Sequence, residues 1–227
     1  MPSTSETGHA KNVANFEDLI AFCTGYGATY NPSNIALTLP ELTTKHTNAK
    51  KAINNLVTFK TNFDKATNER VIAFDGLRSL STKILNAFAV CGASNEAIDD
   101  VQTINRKIQG TRAGKLPEPD PANPTAPLPP THSVSQLSYD SLTQNFSTLI
   151  TTVAAEPLYT PNETELQVAT LQAKLTQLTT TNTALSTATT AYSNGRISRD
   201  EELYHEETGL VTIALSVKKY IKSIFGA

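Results

Sequence analysis

From Val168 onward the inward-facing positions return in steps of three and four: Val168, Leu171, Leu175, Leu178, Asn182, Leu185, Thr189 and Tyr192. That spacing marks one face of a helix packed against other helices. An earlier stretch repeats the design. Moving Tyr159-Thr160-Pro161 back by 129 (159 − 30) gives Tyr30-Asn31-Pro32, followed by Leu39, Leu42, His46, Ala49, Ile53, Leu56, Lys60 and Phe63. The same shift carries Leu203 onto Phe74, Ile213 onto Ile84 and Tyr220 onto Cys91. A single offset held from Tyr30 to Cys91 reads as an internal repeat. No stretch alternates strictly with period two. The pattern therefore predicts an all-α chain: an antiparallel helical bundle built from two tandem copies of one helical unit, related by pseudo-twofold symmetry.

The expected organisation is a flexible arm at residues 1–11, a first repeat at 12–112, a proline-rich linker at 113–132 and a second repeat at 133–227. The first repeat opens with a short helix carrying Phe16, Leu19, Ile20, Phe22 and Cys23. Asn12 or Asn15 is its N-cap, and Gly25 and Gly27 end it. Asn31-Pro32 starts the long second helix, in which Pro40 marks either a kink or a fresh start capped by Thr38 and Glu41. A third helix runs from Phe74 to Cys91, and a fourth from Ser94 to Gly110 with Val101, Ile104 and Ile108 inward. Pro117, Pro119, Pro121, Pro124, Pro127, Pro129 and Pro130 then impose an extended spacer. In the second repeat a helix carries Tyr139 to Val153, a long one starts at Thr160-Pro161 with Glu163, and a last one runs from Leu203 to Gly226.

Composition narrows the classes of function. The 227 residues are 39% hydrophobic and carry a net charge of −2 with a pI near 6.1, which gives no reason to expect a nucleic acid or an anionic membrane as partner. Charged residues make up only 18%, and hydroxyls and amides replace them, most densely in Thr179-Thr180-Thr181-Asn182-Thr183. No apolar run approaches the roughly 20 residues needed to span a bilayer. The polar start, Met1 to His9, lacks a basic apolar leader, so a cytoplasmic location is the default expectation. Cys23 and Cys91 fit no metal or redox spacing and read as small buried hydrophobes, with a disulfide between them as the alternative.

Candidate chemistry is sparse. Glu202 and His205 form a Glu-x-x-His like that of di-iron bundles, but the matching positions, Ala73 and Gly76, cannot ligate a metal, and Leu203 turns both side chains to the flanks. His46 and Asn182 occupy seam positions and read as structural, Asn182 as a register-setting polar residue. Glu206 stands where the first repeat has Leu77, so the copies should pack differently. Arg106, Lys107, Arg112 and Lys115, and separately Lys218, Lys219 and Lys222, sit near helix ends and complement the helix dipole. The sequons at Asn145 and Asn162 fall within expected helices. No catalytic, cofactor-binding or metal residue is assigned, and no cofactor is expected.

Glu6-Thr7-Gly8-His9-Ala10-Lys11-Asn12-Val13-Ala14-Asn15-Phe16, Thr103-Ile104-Asn105-Arg106-Lys107-Ile108-Gln109-Gly110 and Tyr159-Thr160-Pro161-Asn162-Glu163-Thr164 resemble segments of a family of uncharacterised all-helical bacterial proteins, mainly from Bacteroidetes. The resemblance extends over nearly the whole chain. It implies a bacterial origin and carries no functional residues across. The expected role is non-enzymatic: a structural or protein-interaction bundle that engages a protein partner or associates with itself. The alternatives are a membrane-active helical protein of the pore-forming kind and a ligand- or metal-binding bundle.

Overall fold

The computed structural model describes residues 8–111 and 137–226. In chain order its α-helices are α1 (His9–Gly25), α2 (Leu39–Phe74), α3 (Leu77–Ala89), α4 (Asn95–Gln109), α5 (Tyr139–Ala154), α6 (Val168–Tyr204) and α7 (Leu210–Phe225). Short 3₁₀ turns lie at Gly27–Thr29, Ile35–Leu37 and Thr164–Leu166, and no strand occurs among the described residues. The all-α expectation is therefore met. The proline-rich linker falls outside the described residues.

Two compact units divide the chain, one of residues up to Lys65 together with those from Ser186, the other of Ala66–Leu185. The first is formed by α1, the start of α2, the end of α6 and α7. Its core gathers Phe16, Cys23, Leu42, Ala49, Leu203, Leu210 and Val217. The second is formed by the end of α2, α3, α4, α5 and the start of α6, around Ile84, Phe88, Val101, Ile108, Phe146, Leu149, Leu171 and Leu178. Within it α4 packs on both α3 and α5. The seam of α6 behaves as its spacing demands: Leu171, Leu178 and Leu185 are buried, whereas Thr189 is exposed.

Several boundaries differ from expectation, each for a local reason. α1 begins at His9, inside the stretch read as an arm, and its N-cap is Gly8 rather than Asn12 or Asn15. The long helices do not start at the Asn-Pro and Thr-Pro signals but at Leu39 and Val168. Before them the Tyr30 hydroxyl donates to the Leu37 carbonyl (2.6 Å), and the Tyr159 hydroxyl donates to the Leu166 carbonyl (3.0 Å). Each bond clasps an eight-residue hook that buries its leucine, and this contact outweighs the proline start signal. Pro40 accordingly sits in the first turn of α2, as in the fresh-start reading, though the Thr38 hydroxyl donates back to Ile35 instead of capping.

The helices expected at Phe74–Cys91 and Leu203–Gly226 are each broken near the front. Asp75 and Gly76 separate α2 from α3, with Gly76 in the left-handed region (φ 72°). His205–Gly209 separate α6 from α7. There the His205 Nδ1 accepts from the backbone N–H groups of Glu207 and Thr208, both at 3.2 Å. α4 and α5 match expectation closely: the Ser94 hydroxyl accepts from Ala97 N–H, the Ser138 hydroxyl from Ser141 N–H, and Gly110 closes α4 with φ 73°.

Candidate functional site

Glu202 and His205 do not converge. Glu202, half-buried on α6, has its Oε1 3.0 Å from Lys45 Nζ. His205 lies beyond the end of α6, where it holds the turn, and its Nε2 faces Glu201 at 3.5 Å. The helical Glu-x-x-His geometry is thus lost. Among the described residues no group of three or more His, Cys, Asp or Glu is placed to hold a metal ion.

His46 and Asn182 take the structural places expected of them. His46 is half-buried, its Nε2 3.6 Å from Glu17 Oε2 on α1. Asn182 on α6 donates to Asp140 Oδ1 and Thr143 Oγ1 on α5, both at 3.3 Å, which ties the two helices in one register. Glu206 is exposed in the turn before α7, whereas Leu77 is buried in α3. Of the sequons, Asn145 is buried in α5, while Asn162 lies exposed outside any helix, contrary to its expected placement. Arg106 and Lys107 lie in the last turn of α4, and Lys218, Lys219 and Lys222 are exposed along α7. Arg112 and Lys115 lie outside the described residues.

The two thiols are free, Cys23 buried and Cys91 half-buried. Burial is the main cause that raises the Cys23 thiol above its ordinary range. Burial also lifts both hook tyrosines. Tyr159 is pushed up to about 12, with Cys91 and Glu163 adding to the effect, and Tyr30 is raised further, with Cys23 contributing. Beside Cys91 and Tyr159 opens a cleft of about 710 Å³, bordered by Lys83, Asn86, Pro161 and Glu163. At the position 129 residues after Cys91, Tyr220 packs its ring edge-on against Tyr30 (5.4 Å) and accepts a hydrogen bond from Asn31 N–H (3.2 Å).

One surface was missed by the sequence reading. Phe22 had been grouped with the apolar positions of α1, yet it is exposed, as are Tyr26, Leu215 and Phe225. Spacing alone does not separate Phe22 from the core positions of α1, because Leu19, three residues before it, packs against the core of Val13, Phe16 and Cys23. No helix among the described residues is long and apolar enough to cross a membrane. Comparison with protein-family models, with curated proteins and with solved structures finds no match to this chain.

Proposed function

We propose that this chain is a non-enzymatic helical-bundle protein with a structural or protein-interaction role, self-assembly included, and that its two halves are copies of one helical design related by a pseudo-twofold. The repeat is supported by three coincidences at a shift of 129: the hook bonds Tyr30–Leu37 and Tyr159–Leu166, the 3₁₀ turns at residues 35–37 and 164–166, and the starts of α2 and α6 at residues 39 and 168. The interaction role is carried by one observation above all. Large apolar side chains that a closed bundle would bury stand exposed together on α1 and α7.

Size-exclusion chromatography with light scattering, run over a wide concentration range, tests the reading. Assembly is the expected result. A strict monomer that also captures no partner in pull-downs overturns it.

A further inference from the structure

In the first unit the hook tyrosine, Tyr30, has an aromatic neighbour on α7. Tyr220 stands edge-on to it (5.4 Å between rings), and the Tyr220 hydroxyl accepts from Asn31 N–H (3.2 Å). At the repeat spacing the matching residue beside Tyr159 is Cys91 (220 − 129 = 91), and Gly92 stands for Ile221. α3 ends at Ala89, but Cys91 N–H still bonds to the Phe88 carbonyl (3.3 Å) before Gly92 takes a left-handed conformation (φ 95°). Cys91 therefore stays beside the hook.

A tyrosine ring is thus exchanged for a thiol and an isoleucine side chain for a hydrogen. The space is open: Cys91 and Tyr159 both border the cleft of about 710 Å³. Phe88, which stands where the first unit has Val217, does not refill it. Its ring packs on Tyr159 from within the core (5.8 Å), and it is not among the residues that border the cleft. Size alone does not single this cleft out, since one of about 660 Å³ opens beside Val71 and Ile72. What singles it out is Tyr220, at the matching position of the other half.

We propose that the cleft at Cys91 binds a free phenolic compound, whose ring takes the place beside Tyr159 that Tyr220 takes beside Tyr30. The proposal rests on the repeat reading above. The lining suits a ring. Tyr159 and Leu166, both buried, form the base, and the apolar side chains of Val90 and Leu158 stand exposed at the edge. Apolar walls with a few polar groups, at a volume of this order, are the make-up of small-molecule sites. The ligand hydroxyl does not use the backbone donor of the first unit, because Thr160 N–H already bonds to the Leu158 carbonyl (3.0 Å). The donors bordering the cleft are side chains instead: the amides of Asn86 and Asn162 and the Thr160 hydroxyl. Lys83 and Glu163 complete an exposed, polar rim. A docked protein surface would strip water from that rim, whereas a free compound leaves it hydrated, so the rim favours the compound.

p-Cresol titrated into the full chain, and followed by proton–nitrogen correlation spectra, tests the site. Binding should be to one site, with a dissociation constant on the order of 1 mM for a ligand so small. The amides of Cys91, Gly92 and Thr160 should shift. Cys91→Tyr puts the missing ring back and should weaken binding at least about tenfold with unchanged far-UV circular dichroism, whereas Cys91→Ser keeps the space and should change it by less than about threefold. A wild-type chain that takes up no p-cresol at about 20 mM, or whose shifts fall elsewhere, overturns the site and leaves the repeat standing. So does a Cys91→Tyr variant that binds as well as the wild type. A crystal structure of Cys91→Tyr with the new ring edge-on to Tyr159 supports the placement, and a ring lying away from Tyr159 overturns the match to Tyr220. A peptide spanning Ser216–Ser223, which carries Tyr220, that binds about tenfold tighter than p-cresol assigns the cleft to a protein segment and overturns the free compound.

Discussion

Replacing Tyr159 by Phe removes one oxygen and leaves the ring, which packs 5.8 Å from Phe88, in place. What is lost is the donor to the Leu166 carbonyl at 3.0 Å, in a hook whose leucine and tyrosine are both buried. A buried carbonyl left without its donor costs about 1–3 kcal/mol. Tyr30→Phe strips the Leu37 carbonyl in the same way, from a shorter bond of 2.6 Å, and should cost at least as much. Guanidinium unfolding at neutral pH measures both, and the slope with denaturant should stay unchanged because the exposed surface does. The pH dependence is the sharper half of the test. Tyr159 in the folded chain is raised to about 12, above the unfolded phenol at about 10, so the hydroxyl's contribution is complete below pH 10 and drains away as pH rises through 12. The gap between wild type and Tyr159→Phe should therefore close over that window and then reverse, since phenylalanine has no anion to bury. A gap that stays constant from pH 8 to 12, or one below about 0.5 kcal/mol at neutral pH, refutes the role given to the hook.

Three further outcomes follow from the packing. A Cβ at Gly195 would lie 2.5 Å from Phe59 Cδ2, so Gly195→Ala should lower stability by about 1 kcal/mol in thermal unfolding, overpacking outweighing the gain in helix propensity. Ser94→Ala removes the acceptor for Ala97 N–H and should cost about 1 kcal/mol in the same assay. Asn182→Leu gives up two 3.3 Å bonds but also relieves a buried amide oxygen that has no partner, so stability by denaturant titration should change by less than about 1 kcal/mol.

The sequence displayed the helices better than their ends. The seam through Leu171, Leu178 and Leu185 and the apolar face of α5 were readable because burial on a helix obeys a fixed period, and α4 was readable because Ser94 and Gly110 act on their immediate neighbours. The starts of α2 and α6 were not. Asn31-Pro32 and Thr160-Pro161 satisfy every local rule for a helix start, but Tyr30 and Tyr159 bond seven residues ahead, and no window of a few residues weighs that bond. The exposed flank was hidden for a related reason. Phe22 counts as apolar in any hydropathy pattern, and only the position of neighbouring helices decides whether it points into the core or away from it.

At a spacing of 129 the two helix breaks differ in where the next helix begins and not in chain length, since Phe74 and Ile84 stand as far apart in sequence as Leu203 and Ile213. The break between α2 and α3 takes two residues, Asp75 and Gly76, whereas that between α6 and α7 takes five, His205 to Gly209. The first turn of α3 therefore has no helical counterpart: Leu77 is buried in a helix, and Glu206, 129 positions later, is exposed in a turn. The longer break also needs Gly209, since a Cβ there would lie 2.5 Å from the His205 nitrogen, and it makes His205 a backbone acceptor for the turn rather than a ligand. Further along, Ser81 in α3 bonds to Gln109 of α4 (3.1 Å), while the matching position on α7 is Leu210, which is buried in the first unit's core and has no polar atom to offer an overlying helix.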